Sequence, residues 1–367
     1  MKVLHISGAT SWGGNEQQLL DIIPALEKGN VNNLVFGVQN SLIHKKCEES
    51  AIPFVYTKEK KLNKFSNYKL LKSIIEKENP DIIHLHTSDS VTVYVLSDLL
   101  YKLKKPAVFS KKGMGRSMSW LSKYKYNYKN IDAIFCVSQA VMRSMKEKVT
   151  KAKNYYKLIV LYEGININRI QRAENTQELN LVKNKAKYIV GNIANHVPAK
   201  DLNTLILAIN YIIKEMNFHD FHLFQIGDYT KHTDSIKLLI EKLGIQDYVT
   251  LAGFVKDATT ILPSFDVYAM SSEREGLPLT IYEAFYKKTP VVSTKAGGIP
   301  EVIKDGYNGF LVDVKNYKLL GKRIVEVLES KEIQNNFKER SYKLLLENYD
   351  VNKTAVKMLD AYNDVIL

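Results

Sequence analysis

Glu275 and Glu283 stand with seven residues between them in the run Ser271-Ser272-Glu273-Arg274-Glu275-Gly276-Leu277-Pro278-Leu279-Thr280-Ile281-Tyr282-Glu283-Ala284. Gly276 permits a tight turn and Pro278 suits a first helical position, so a helix is expected to start there. Its first backbone N–H groups lack intrahelical partners, and such a helix start is an anion site. Eight residues of helical rise span at most ~12 Å, the scale of a nucleoside diphosphate lying along the helix start. One carboxylate can then meet hydroxyls at the far end of a ligand while the other meets a ribose near its base. The competing reading makes both surface glutamates on an amphipathic helix, the ordinary fate of a single Glu. It leaves unexplained why the pair coincides with the Gly-Leu-Pro turn and the apolar run 290–293 that follows.

Other residues of interest are fewer. His84 and His86 are two apart on an expected strand and so share one face. A metal site would need a third ligand that the sequence does not offer, so His86 is taken as a candidate for donor or acceptor binding. Gly13-Gly14 follows the first strand, where backbone can approach a ligand that a side chain would block. The chain contains no Asp-x-Asp.

The elements that must position these residues alternate between short apolar runs and longer helical patterns, the signature of βαβ units and parallel sheets. Strands are expected at 3–7, 34–38, 54–56, 82–86, 107–109, 133–137 and 158–162, then at 188–193, 222–226, 249–251, 266–270 and 290–293. Helices are expected at 16–27, 68–78, 90–103, 140–149, 201–214 and 233–242, and from about 278, 317 and 331. A polar, Asn-rich stretch around 169–186 breaks the alternation and is read as a linker. The fold class is therefore α/β, two doubly wound domains facing across a cleft, with ligands beyond the carboxyl ends of the strands.

Length and composition agree. The 367 residues, 45% apolar and 25% charged, suit two domains with ordinary cores and exclude a disordered chain. Cys47 and Cys136 form no CxxC pair, which suits a reducing, cytoplasmic compartment. The start of the chain reads as a buried strand rather than a signal peptide, and no window is apolar enough to span a membrane. The net charge of +13 is uneven: residues 1–172 hold 28 Lys+Arg against 14 Asp+Glu, and residues 173–367 hold 24 against 25. A basic front half points to an anionic partner, although a lysine-rich solvated surface accounts for the charge alone. The densest stretch mixes Lys111, Lys112, Arg116, Lys123 and Lys125 with Trp120, Leu121 and Tyr124. Cations with amphipathic rings fit a headgroup layer. No nucleic-acid-binding motif accompanies them, so an anionic membrane surface is preferred to nucleic acid.

The chain resembles the large retaining glycosyltransferase family 4 of GT-B fold, with its E-x7-E motif. The resemblance covers nearly the whole chain: Gly13-Gly14-x-Glu16, Val137-Ser138, Gly164-Ile165-Asn166, Lys200 before Thr204-Leu205-Ile206, Ile226-Gly227-Asp228, Leu251-Ala252-Gly253-Phe254, the E-x7-E run and Asn308-Gly309-Phe310-Leu311-Val312. It implies a Rossmann-like acceptor domain over 1–168, with the last helix, 352–367, crossing back to it, and a nucleotide-sugar domain over 187–351. It implies that Glu275 meets donor-sugar hydroxyls, Glu283 meets the ribose, and amides near Leu279 and Thr280 hold a phosphate. Lys200 would stabilise the leaving diphosphate. Further donor contacts are implied at Gly13, Gly14, Asn195, Gly227, Phe254, Gly276 and Leu277, with no cofactor and no metal.

Two departures stand out. The family usually carries an Arg shortly before the Lys of a Lys-Gly pair; this chain has Asn192-Ile193-Ala194-Asn195-His196 and then Lys200-Asp201. Many members carry a His after the strand 107–109, a place held roughly by Lys112. The expected function is transfer of a sugar, UDP-linked by preference, to a glycan or lipid-linked acceptor, by an enzyme peripheral on the inner membrane face. The rivals are a nucleotide-sugar epimerase of the same fold and a non-catalytic protein binding anionic lipid or nucleic acid.

Overall fold

The computed structural model describes residues 1–115, 119–148, 150–172 and 186–366. They form two units: Met1–Asn166 with Asp350–Leu367, and Ile167–Tyr349.

The first unit is built on a seven-stranded sheet: β1 (Lys2–Ile6), β2 (Asn32–Val38), β3 (Phe54–Thr57), β4 (Ile82–Leu85), β5 (Ala107–Lys111), β6 (Ala133–Cys136) and β7 (Leu158–Val160). Its order is β3-β2-β1-β4-β5-β6-β7 and every pairing is parallel. Strands covered by helices on both faces read as continuous apolar runs, as AIFC in β6 does, with all four residues buried. The helices are α1 (Gly14–Glu27), α2 (Leu42–Glu49), α3 (Ser66–Glu78), α4 (Ser88–Tyr101), α5 (Trp120–Tyr126) and α6 (Gln139–Lys148). In the sequence, α2 is too polar and short to stand out from loop; Ser41 starts it by accepting from the His44 amide. The stretch read only as a basic-aromatic segment holds α5.

The second unit carries α7 (Ile167–Arg172) and a six-stranded parallel sheet. Its strands are β8 (Tyr188–Ile193), β9 (Phe221–Ile226), β10 (Val249–Leu251), β11 (Val267–Ala269), β12 (Val291–Thr294) and β13 (Phe310–Val312), in the order β10-β9-β8-β11-β12-β13. Helices α8 (Leu202–Lys214), α9 (Thr233–Leu243), α10 (Leu279–Tyr286), α11 (Tyr317–Glu329) and α12 (Lys331–Asn348) cover it. Leu205, Ile206, Ile209, Ile212 and Ile213 supply the buried stripe of α8 at helical spacing. Gly321 lets α11 come close, since a Cβ there would lie 3.1 Å from the Ala208 carbonyl oxygen. The three-residue strand β13 lies inside the Asn308–Val312 motif and is not among the expected strands.

The linker expectation at 169–186 is corrected at its start, where residues up to Arg172 are helical and belong to the second unit. Residues 173–185 lie outside the described residues. The last helix, α13 (Val351–Ile366), packs in the first unit, where Ala355, Met358 and Tyr362 join Leu19, Ile23 and Phe135 in one core. Ile165 pairs with Asp350, and a Cβ on Gly164 would lie 2.7 Å from the Asp350 backbone, so the two passages of chain run side by side there.

Candidate active site

The segment carrying the two glutamates lies beyond the carboxyl end of β11, where doubly wound sheets place ligands. Helix α10 begins at Leu279, with Pro278 as its extended N-cap rather than its first helical residue. Leu277 and Leu279 are buried, so what they offer a ligand is backbone.

The loop after β11 is fastened to the loop after β8. The amide of Glu273 donates to the Ala199 carbonyl at 2.9 Å, and the Ser271 hydroxyl donates to the carbonyls of Lys200 and Asp201 at 3.1 and 2.8 Å. These contacts bring Lys200 and Glu275 together: Lys200 Nζ donates to Glu275 Oε1 at 2.7 Å, and Ser272 Oγ donates to the same oxygen at 2.7 Å. The pair is largely enclosed, with the Glu275 side chain 10% and the Lys200 side chain 23% exposed.

The departure from Lys-Gly has a local explanation. Asp201 takes the left-handed conformation, φ +42°, which a glycine would adopt freely and an Asp tolerates. Its carboxylate caps α8 by accepting from the Thr204 amide at 3.4 Å, and it also accepts from the Thr204 hydroxyl at 2.6 Å. Gly297, at φ +56°, backs the Glu275 loop from the other side: a Cβ there would lie 1.7 Å from the Glu275 carbonyl oxygen. The Gly298 amide donates to the Gly276 carbonyl at 3.0 Å. The Gly297-Gly298 pair thus supports the catalytic-loop candidate from behind.

Glu283 is buried in α10 and accepts from Arg169 Nη2 at 3.1 Å. Sequence reasoning missed Arg169, because 114 positions separate the partners. Asn195 is exposed and its side-chain oxygen accepts from the Asp228 amide at 2.9 Å. A Cβ on Gly227 would lie 2.0 Å from the Ala194 carbonyl oxygen, so the loops after β8 and β9 also pass closely. Phe254 is 69% exposed on the loop after β10.

Gly13 and Gly14 belong to the first unit, as N-cap and first residue of α1. Gly13 is extended there, so its backbone does not require glycine. His86, just past β4, sits in a cluster that supplies the third imidazole the sequence reading lacked. His5, His84 and His86 offer ring nitrogens within 4.8 Å of one another. Hydrogen bonding already engages most of these nitrogens. Asn33 Nδ2 donates to the Val31 carbonyl, so Asn33 Oδ1 must accept from His5 Nε2 at 3.0 Å. His5 Nδ1 is then an acceptor, and His86 Nε2 donates to it at 3.0 Å. His84 lies between Tyr362 Oη (2.5 Å) and Ser110 Oγ (2.7 Å). Burial lowers all three pKa values, that of His5 to about 4, and the nearby Lys112 charge adds to the effect.

Lys112 is corrected as a surface cation. Its side chain is 5% exposed, pairs with Glu163 at 3.0 Å and donates to the Asn15 carbonyl and Gln18 Oε1, each at 3.0 Å. It therefore ties the end of β5 to the first turn of α1. Lys111 is half-buried, and burial lowers its pKa. Arg116 lies outside the described residues. Trp120 and Lys123 are exposed.

Comparison with known proteins agrees with this geometry. Residues 12–169 match Glycosyltransferase Family 4, and residues 173–344 match Glycosyl transferases group 1. N-acetyl-alpha-D-glucosaminyl L-malate synthase of Bacillus anthracis is 23% identical over 332 residues, covering 86% of this chain and 85% of that protein. The UDP-Gal:alpha-D-GlcNAc-diphosphoundecaprenol alpha-1,3-galactosyltransferase of Escherichia coli is 23% identical over 311 residues, 82% of this chain and 79% of that one. Among solved structures, Anabaena Alr3699/HepE in complex with UDP and glucose superposes with a TM-score of 0.84 at 19% identity, covering 99% of this chain and 100% of that chain. Two parallel-sheet units with this site at the strand ends define a glycosyltransferase of GT-B fold. The chain belongs to the group 1, family 4 glycosyltransferases, whose two models between them span most of its length.

Proposed function

We propose that the protein transfers a sugar, with retention of anomeric configuration, from a UDP-sugar to a hydroxyl of a lipid-linked or polysaccharide precursor. The observation that carries this reading is the Lys200–Glu275 pair, steadied by Ser272 and set beside the start of α10. In the proposed reaction the free amides of the first turn of α10, near Leu279 and Thr280, hold a donor phosphate. Lys200 neutralises the charge that grows on the leaving diphosphate, so no divalent metal is required. Glu275 accepts hydrogen bonds from donor-sugar hydroxyls and Glu283 from the ribose. The first unit supplies the acceptor site, with His86 as a hydrogen-bonding group there. UDP is favoured because a solved structure of this fold holds UDP and glucose and a relative is named for UDP-Gal; the latter's name also supports a lipid-linked acceptor.

A thermal-shift panel of UDP-, GDP- and ADP-sugars, followed by turnover with and without acceptor, tests the reading. A UDP-sugar is expected to raise the melting temperature, and turnover is expected to require acceptor. Rapid isomerisation of the donor alone would instead establish the epimerase, and a panel without any shift would remove the nucleotide site.

The proposal extends to a membrane surface. Trp120, Leu121 and Tyr124, 75%, 59% and 53% exposed, fall within about 100° of the circumference of α5, opposite the buried Tyr126. Lys123 is exposed beside them. Rings and a cation on an outward face match the headgroup layer of an anionic bilayer. No helix among the described residues is long and apolar enough to cross a membrane. The protein is expected to float with phosphatidylglycerol vesicles, to detach as salt rises, and to lose most binding in Trp120→Ala/Leu121→Ala/Tyr124→Ala. Equal flotation with neutral vesicles, or an unaffected triple variant, would refute the membrane reading.

A further inference from the structure

The ion pair between Arg169 and Glu283 extends the proposed nucleotide site. We infer that Arg169 is a positioning residue: it holds the Glu283 carboxylate in the orientation that recognises the ribose hydroxyls, and so sets preference for a ribonucleotide donor. The inference rests on the reading of Glu283 as the ribose group.

Glu283 lies in the middle of α10, its side chain 7% exposed. An enclosed carboxylate carries a large desolvation cost unless a cation or hydrogen bonds compensate it. Arg169 provides that compensation from α7, reaching Glu283 Oε1 with Nη2 at 3.1 Å. The two elements are far apart in sequence but both belong to the second unit. A guanidinium is planar and always charged, and it fixes the plane of a carboxylate better than a lysine ammonium can. The Arg169 side chain, 27% exposed, is not lost in the core and holds its partner from the rim.

Helix α10 is steadied on the neighbouring residue too. Tyr282 stacks on Tyr349 with ring centroids 4.5 Å apart. Arg169 and Tyr349 lie near the two ends of the second unit's chain, so both ends bear on the turn that carries Glu283. A carboxylate held on both the backbone and the side-chain level keeps one orientation before ligand arrives, and preorganisation of that kind is worth most against ligands that lack the matching hydroxyl.

The test compares binding of UDP with 2′-deoxy-UDP and 3′-deoxy-UDP by calorimetry in the wild type, Arg169→Gln, Arg169→Lys and Glu283→Gln, with circular dichroism confirming the fold. A hydrogen bond to a charged group corresponds to roughly a 10- to 100-fold preference for the ribonucleotide in the wild type. The expected result is that the preference collapses to about one in both Glu283→Gln and Arg169→Gln, while affinity for the deoxy forms stays within about threefold. Arg169→Lys, which keeps the charge and the fold but not the planar fork, is expected to fall between. If Arg169→Gln and Arg169→Lys keep the full preference while Glu283→Gln loses it, Arg169 is structural only and the inference is overturned with the ribose reading intact. If Glu283→Gln also keeps the preference, the ribose reading itself fails and takes the inference with it.

Discussion

Replacing Lys200 with alanine is expected to lower kcat by about 10²- to 10³-fold, the usual consequence of removing one preorganised group that stabilises transition-state charge. Donor binding should weaken less, by about tenfold, because the amides of α10 remain. The two effects separate in a KM-against-kcat comparison. A complication is built into the site: Lys200 also neutralises Glu275, whose side chain is 10% exposed. Removing the cation leaves a largely enclosed carboxylate without its charge partner, and the Ser272 hydroxyl supplies only a neutral hydrogen bond in its place. Stability should therefore fall in Lys200→Ala and recover in Lys200→Ala/Glu275→Gln, while transfer stays lost in both. Melting temperature and initial rates on the same preparations measure this. A double variant that regains transfer would show that Lys200 acts only by holding Glu275, and a single variant with normal kcat would remove it from the proposed chemistry.

The sequence disclosed the Glu275–Glu283 segment because its signals are local. A glycine, a proline at a helix start and two glutamates with a fixed interval can be read within one short window. The supports of those residues could not be read that way. Arg169 against Glu283, Gly297 behind Glu275 and Ala199 under Glu273 are contacts between segments separated by a strand or more, and no local period announces them. Lys112 shows the same limit in the opposite direction. Its place in a basic stretch suggests a solvated cation, yet just past β5 the partner Glu163 and the acceptors on Asn15 and Gln18 turn it inward. Side-chain charge reports on the surface only until a buried counter-charge is found.

Strand positions were legible to within a few residues wherever an apolar run was flanked by polar turns, as in β8 and β10. The polar α2 escaped because its eight residues hold too few apolar positions for a helical period to emerge. The His cluster is intermediate. Two of its members, one in β4 and one just past it, are visible from their spacing, but the third arrives only when the parallel register sets His5 of β1 opposite His84.

That cluster makes the protein sensitive to acid in a way that can be measured. His5, His84 and His86 are buried and their folded-state pKa values are lowered, that of His5 to about 4, because burial disfavours the imidazolium and Lys112 repels it. An unfolded histidine titrates near 6.5. Below that pH the unfolded chain binds protons that the folded chain refuses, so stability is full above about pH 6.5 and declines as the pH falls toward the folded values. Each histidine contributes a slope of up to about 1.4 kcal/mol per pH unit in that window, so the three together could remove several kcal/mol by pH 5, a large share of a typical domain's stability. Urea midpoints of the full chain between pH 7.5 and 5 should therefore drop steeply below 6.5, before carboxylates begin to titrate. In His5→Gln the overall stability is expected to be lower, since the links to Asn33 and His86 change, but the pH slope should be shallower by about one proton. The slope distinguishes titration from packing, because a lost contact shifts the whole curve and leaves its gradient unchanged. A flat midpoint from pH 7.5 to 5.5, or an unaltered gradient in the variant, would mean that the imidazoles take up protons in the folded state as readily as in the unfolded one, and that the neutral hydrogen-bond chain from Asn33 through His5 to His86 is not what the native state requires.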